Sequence, residues 1–470
     1  MIHAKQALFA ICLALGAGLC GSLPAAAAAG TTDSNAVVPI NWKGLGHTYP
    51  TDAASQQLLA ILRSANQYAV TTWWTEKKKF AAQDAAPYLD FGGKDEVAIR
   101  PSCEESFSLA LSLKLGLYNP KLTGVSQSDA EARALRLVKS LAFRHKANTP
   151  GGWGNAWQSA MWASWCGQAG WLLWDKLSPP DQTNLQKMIV SEADRFLEYK
   201  VPYYQDKTGK IVSPGDTKCE ENAWNATILQ LAIAMMPHHA HHDAWMQKNL
   251  ELMVSTYARP SDVTRSDVLN GKPLSEWLHG SNSNEDGTVV NHARIHPDYM
   301  VSGLFEFSPV GVCVLSHQPV PKAAFFNADV TYHALTDISF VAGSTPYPIG
   351  GPVQAPGGTI YHPNSGDIYC PQGNDWGSKR KMNFLAADVL AAAFHLDDLS
   401  STKANVWEAL HAQAVRSMQQ RFPDGRTYGA ASEDTFHSRE EWVAQKAASS
   451  CLIQWVMQQG NVEITNRAYP

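Results

Sequence analysis

No run of basic residues longer than three occurs in this chain: its 38 Lys and Arg are spread among 43 Asp and Glu, for a net charge of -5 and a pI near 6.3. That removes the concentrated positive face a nucleic-acid binder needs, so no nucleic-acid partner is expected. Beyond the first thirty residues no apolar stretch reaches the roughly 18 residues of a membrane span. No C-x-x-C or comparable ligand spacing is present, so a metal–thiolate centre is not expected. A Pro/Ser-rich linker that would divide the chain is missing as well.

What is there begins with an export signal. Lys5 precedes an apolar run, Ala7 to Leu19, and the small-residue tract "SLPAAAAAG" follows. Charged, apolar and small, in that order, is a secretory signal peptide over residues 1–29. The expected location is a periplasm or the cell exterior. Cys12 and Cys20 leave with the signal; Cys103, Cys166, Cys219, Cys313, Cys370 and Cys451 remain, in a compartment that permits disulfides but with no pairing legible. With 45% hydrophobic residues, residues 30–470 can bury one large core, and a single domain is expected.

Apolar residues recur at three- and four-residue intervals over most of that length. The spacing predicts helices over Ala53 to Ala69, Glu104 to Gly116, Asp129 to His145, Asn155 to Lys176, Pro180 to Tyr199, Lys218 to Met236 and His242 to Thr256. It does so again over Asn383 to Phe394, Lys403 to Gln420 and Arg439 to Gln459. Thr217-x-x-Glu220 and Ser438-x-x-Glu441 read as capping boxes, and Pro180 or Asp181 as a first-turn signal. Helices of this length joined by short loops can bury apolar faces on both sides in an all-α toroid of inner and outer helix rings, which is the expected fold. From Ala258 to Arg380 the rhythm breaks into Gly, Pro, Asn, His and Tyr, with short β-like runs such as "FFNADVTYHAL". A long irregular segment in a compact domain tends to carry function, here as a cover over the central cleft.

Several stretches offer ligand contacts. "GGWGNAWQSAMWASWCGQAGWLLW", Gly151 to Trp174, is rich in tryptophan, and indole faces over a cleft suit the apolar faces of sugar rings. Most of these rings serve inter-helix packing; Trp153 and Trp157, with Asn155 and Gln158, are the expected exceptions. In "GDTKCEENAWNA" Glu221 and Asn225 share a helix face at i and i+4, with Asn222 beside them, and Trp224 lies on another. That polar face is expected to look into the cleft, while Glu220 is accounted for by capping and exposure. "YCPQGNDWGSKRK" offers Asn374, Asp375 and Trp376 among glycines that let backbone approach a ligand. "HHAHH", His238 to His242, lacks ligand partners at matching spacing apart from Asp243 and reads as a solvated loop.

"VVNHARIHPDYM" sets Asn291 beside His292 and follows with Tyr299. Abstracting a proton next to a carboxylate needs a base, a donor that neutralises the carboxylate as charge develops, and an acid for the leaving oxygen. Histidine, asparagine and tyrosine supply these in turn. The Asn-His pair, the helical pattern and a later tyrosine resemble the alginate and glucuronan lyases of polysaccharide lyase families 5 and 38, in which such a pair precedes a catalytic tyrosine.

The resemblance implies an acidic polysaccharide as substrate and no cofactor. Carried over, Asn291 neutralises the uronate carboxylate, His292 takes the C5 proton, and a tyrosine protonates O4 of the departing sugar: Tyr347 by its order after the pair, or Tyr299. Those lyases also have an arginine ahead of the tyrosine, whereas here none lies between Arg294 and Arg380. Arg294 or Arg100 would have to take its place in space. Tyr361 is a further expected contact. Two other readings remain: a glycoside hydrolase on the same scaffold, with Glu221 and either Asp375 or Glu433 flanking the bond, and a non-catalytic glycan-binding protein.

Overall fold

A computed structural model describes residues 35–306, 309–343, 355–377, 379–460 and 462–467. The expected signal peptide and Tyr347 lie outside these residues. The described chain is mostly helical. In order the α-helices are α1 (Ala53–Tyr68), α2 (Glu96–Lys114), α3 (Pro120–Thr123), α4 (Gln127–Phe143), α5 (Ser159–Leu172), α6 (Pro179–Asp194), α7 (Cys219–Met235) and α8 (His242–Thr256). There follow α9 (Leu274–Trp277), α10 (Pro297–Glu306), α11 (Val310–Leu315), α12 (Ala328–Thr336), α13 (Lys381–Phe394), α14 (Ala404–Gln419) and α15 (Arg439–Gln459). Strands among the described residues are two-residue ladders.

Local chemistry sets most of the starts. Asp52, Ser126 and Ser178 accept the backbone N–H of Ser55, Asp129 and Asp181, each three residues on. α2 begins eight residues before the expected Glu104, because Asp95 accepts from Ala98 N at 3.0 Å and carries the helix across Pro101. Neither expected capping box forms. Thr217 Oγ1 accepts only from Cys219 N while Glu220 turns to Asn291, and Ser438 donates to Glu104 while Glu441 accepts from the Trp73 indole. In each case a tertiary partner outcompetes the local one.

The segment after Ala258 is less irregular than its composition implies. It contains α9 to α12, and the run read as β-like, "FFNADVTYHAL", holds α12. Ala328, Thr331, Tyr332 and Leu335 are buried at helical spacing, and Asn327 in the left-handed region (φ 55°) turns the chain into the helix.

α2 packs on α5, α5 on α7, α7 on α10, α10 on α13, α13 on α15, and α15 on α2 again. α1 and α14 lie against α15 and α13, α4 and α6 against α5, α8 against α7, and α12 against α10. Helices flanked on all sides must be apolar all round, and α5 and α7 are buried over nearly their whole lengths. The six cysteines of the described chain form no disulfide with one another, and five of them are buried. No helix among the described residues is long and apolar enough to cross a membrane.

Candidate active site

Val290–Asn291 pairs antiparallel with Arg294–Ile295, leaving His292 and Ala293 as a two-residue hairpin turn. Both have positive φ, 47° and 62°, as the tight hairpin connection requires, although neither is the Asn or Gly that such turns prefer. Left-handed backbone costs a non-glycine residue about 1–2 kcal/mol, so the surroundings must hold it. They do: Asn291 Oδ1 accepts from His292 N at 2.7 Å, Ala293 N donates to Gly215 O at 2.9 Å, and Thr217 N to Val290 O at 2.8 Å. Gly215 is required there, since a β-carbon would come within 3.1 Å of Ala293 Cα.

The turn presents the His292 ring to three partners. Its Nδ1 is 2.6 Å from Asp375 Oδ2, its Nε2 is 3.0 Å from the Tyr299 hydroxyl, and the Trp376 ring centre lies 5.4 Å away. Asp375 uses its other oxygen for His296 Nε2 at 2.9 Å. Burial pushes the Asp375 carboxyl up, but the hydrogen bonds from His292 and His296 outweigh it and hold it well below the usual carboxylate range. Asp375 is therefore ionised and can only accept. It follows that His292 donates from Nδ1 and keeps Nε2 as the proton acceptor toward Tyr299. Burial lowers His296, keeping it neutral, and raises Tyr299, with Glu220 and Asp298 adding to the rise, so the phenol stays protonated.

His292, Tyr299 and Trp376 line a cleft of two lobes that have Trp157 and Tyr299 in common in their walls. The first, of about 520 Å³, is walled by Asp216, Glu220, Asn291, His292 and the Gly215 turn. The second, of about 250 Å³, is walled by Arg100, Gln158, Trp224, Trp376, Arg380 and Trp442. Arg380 grips Asp434 through Nε and Nη2, both at 3.1 Å, and its guanidinium lies 4.6 Å from the Trp376 ring and 4.8 Å from Trp442. Burial alone would lower Arg380, but Asp298 and Asp434 outweigh it and hold it cationic. Arg100 also lies against Trp442, 4.5 Å from its ring, bound to Glu96, Glu104 and Gln158.

The structure thus brings together Asn291, His292, Tyr299, Arg100, Gln158, Asp375 and Trp376 of the expected residues. Arg294 is close, its Nη2 4.0 Å from Asp375, but its Nε turns back to His292 O. Others stand elsewhere. Trp153 is 2% exposed, donates its indole N–H to Leu141 O and packs on His145, so it is core. Asn155 is an exposed loop residue whose N–H donates to Glu192. Asn374 braces its own loop through Trp376 N and Gly377 O. Tyr361, 1% exposed, donates to Asp388 beside Tyr332 and His411 inside the helical core.

The face of α7 is also the other one. Glu221 accepts from the Tyr199 hydroxyl at 2.8 Å, and Asn222 donates to Pro202 O and Ser255. Asn225 joins Glu221 on the Tyr199 side. Glu220 and Trp224, also i and i+4, are the pair that faces the cleft. Amphipathicity cannot orient a helix buried on both sides. Glu433, proposed for a hydrolase, is held by Arg421 and Lys379 outside the cleft lining. The expected Glu221–Asp375 and Glu221–Glu433 pairs therefore do not flank a common space.

Residues missed in the sequence include Arg380, Glu220, Asp216, His296 and Trp442. His296 lies at i+4 from His292, a spacing that could have flagged it. Arg380 carries no local signal, because its partner Asp434 is 54 residues away. The donor atoms of His292, His296 and Asp375 lie within 4.8 Å of one another and could hold a divalent cation, as could those of His395, Asp397 and Asp398. The His238–His242 tract forms no such group among the described residues; His241 pairs with Asp194 and His242 with Asp243. No protein-family model matches the chain, and no curated protein matches its sequence.

Proposed function

We propose that the chain is an exported polysaccharide lyase, cleaving a uronic-acid-containing glycan by β-elimination on an α/α toroid. The circuit α2, α5, α7, α10, α13, α15 with the remaining long helices outside it supports the toroid. The observation that carries the chemistry is the hydrogen-bonded line Asp375, His292, Tyr299, at 2.6 and 3.0 Å, beside Asn291 in the wall of an aromatic, arginine-bearing cleft.

In this reading His292 Nε2 removes the C5 proton while Asp375 steadies the imidazolium that forms. The electron pair moves into the uronate carboxyl group, where the Asn291 amide takes up charge. It then closes the C4–C5 double bond as the C4–O4 bond breaks and Tyr299 protonates O4. Because His292 and Tyr299 are themselves hydrogen-bonded, the proton on His292 can return to the phenolate and restore both groups. With Tyr347 outside the described residues, Tyr299 is the tyrosine whose geometry supports the acid role. Arg100 and Arg380, fixed among indoles, suit further carboxylates of the polymer.

A second reading has one observation in its favour. Glu220 and Asp216 share the Asn291 amide, at 3.2 and 3.3 Å, and burial pushes Glu220 well above the usual range, as a hydrolase acid requires. The test is incubation of the purified mature protein with alginate, glucuronan and other uronate glycans, beside His292→Ala. Near-ultraviolet absorbance of an unsaturated uronate, absent in the variant, is expected. New reducing ends without that absorbance would move the assignment to a hydrolase.

A further inference from the structure

We propose that Glu220 is a second catalytic group of the same site, a neutral carboxylic acid that hydrogen-bonds the uronate carboxylate and its enediolate; this rests on the lyase reading.

The geometry is as follows. Glu220 stands in the second position of α7, 3% exposed, in the wall of the His292 lobe. Its Oε1 accepts from Asn291 Nδ2 at 3.2 Å, and its Oε2 is buried with no hydrogen-bond partner among the described residues. An ionised carboxylate left like this would be costly, while a carboxylic acid has one proton to give and one oxygen already satisfied. Asn291 alone is a poor neutraliser, because its amide N–H groups already point at Asp216 and Glu220. Glu220 supplies the missing donor on the side where a substrate carboxylate would meet Asn291.

The charges around Glu220 keep it protonated. Burial is the largest influence; a backbone hydrogen bond works against it, and Asp216 and Glu221 reinforce it against Lys218, which is itself bound to Asp216 at 2.6 Å. From α10 it faces Tyr299, a neutral phenol, and from the hairpin His292, whose Nδ1 is spent on Asp375. α5 brings no charged residue, and on α8 Lys248 and Glu251 pair with each other. α6 presents Glu192, engaged by His145 and Arg195, and α11 the thiol Cys313.

The step balances without a co-reactant. As the C5–H bond breaks toward His292, the electron pair enters the carboxyl group, and the Glu220 proton is shared with the oxygen that gains charge. As C4–O4 breaks, the pair returns to form the C4–C5 double bond and the proton stays with Glu220. A preorganised neutral donor of this kind acts more strongly on the enediolate than on the ground-state carboxylate.

The test is the pH profile of elimination for the full mature chain and its Glu220→Gln and Glu220→Ala variants, with thermal melting as the fold control. The probe is the uronate glycan that gives the strongest near-ultraviolet signal. Wild-type activity should fall on the alkaline side as Glu220 ionises. E220A should lose about 10²–10³-fold in kcat. E220Q, which keeps a donor but cannot ionise, should lose less and should lack that alkaline limb. If H292A is inactive yet E220A stays within a few-fold of wild type, or E220Q keeps the wild-type limb, the Glu220 role is wrong and the lyase reading stands. A variant that fails to melt cooperatively leaves the decision to the E220Q limb. If H292A still eliminates, or the products are saturated, the lyase reading falls and this proposal with it.

Discussion

His292 Nε2 and the Tyr299 hydroxyl are hydrogen-bonded at 3.0 Å across one turn of chain, from a strained hairpin to the first turn of α10. A base and an acid in direct contact can exchange the proton that elimination moves from one side of a sugar ring to its leaving oxygen. Tyr299→Phe should therefore lower kcat by about 10²–10⁴-fold, the range of a positioned proton donor, with little change in KM. Steady-state rates from the near-ultraviolet signal measure it. An unaltered kcat would transfer the acid role to another tyrosine.

Asp375 joins His292 to His296, so Asp375→Asn should lower kcat by about 10²–10⁴-fold by releasing the His292 tautomer. It should also change the acid limb of stability. The folded carboxyl sits below its usual 3.8, so its contribution is present above that pH and is lost as pH falls through the folded value. Melting curves at descending pH should show wild type losing stability that the variant never had.

Arg380 is bound to Asp434 by two parallel hydrogen bonds and stacked on Trp376 and Trp442. Arg380→Ala leaves a buried carboxylate unpaired and should cost about 3–5 kcal/mol in chemical denaturation. Arg380→Lys keeps the charge but not the fork, and should raise KM for the polymer more than it lowers the melting temperature.

Tyr361→Phe separates core from site. Removing the hydroxyl takes one of three donors from the buried Asp388 and should cost about 1–3 kcal/mol of stability. Activity of the folded fraction should be that of wild type. A specific loss of kcat would return Tyr361 to the cleft.

Glu105 on α2 is fully buried with both carboxyl oxygens unpartnered among the described residues, beside Glu104 and Glu441. Burial, followed by those neighbours, raises its folded pKa well above 4.5. The sign follows: the folded state holds the proton more tightly, so this stability is full below the unfolded pKa and is lost as pH rises through the folded one. Glu105→Gln cannot ionise. Its melting temperature should match wild type near pH 4 and exceed it increasingly toward alkaline pH; parallel curves would contradict the assignment.

The sequence by itself determined ten of the fifteen described α-helices and several of the groups that meet at the cleft. Apolar spacing placed α8 and α15 to the residue and most others to within a few, because an amphipathic period is local information. The Asn-His pair, Tyr299, Asp375 and Trp376 were legible because few structural roles call for such groups so close together.

Tertiary structure decided which faces those groups present. α7 is buried on both sides, so nothing in its own pattern distinguishes Glu220 and Trp224, which meet the cleft, from Glu221 and Asn225, which do not. Trp153 and Tyr361 look like sugar contacts by type but are satisfied in the core by Leu141 and Asp388. Arg100 and Arg380, 280 residues apart, meet around Trp442 only because α15 closes the circuit back onto α2. Residue type and spacing are properties of the chain, whereas burial and opposition across a cleft are properties of the packing, and a catalytic site needs both.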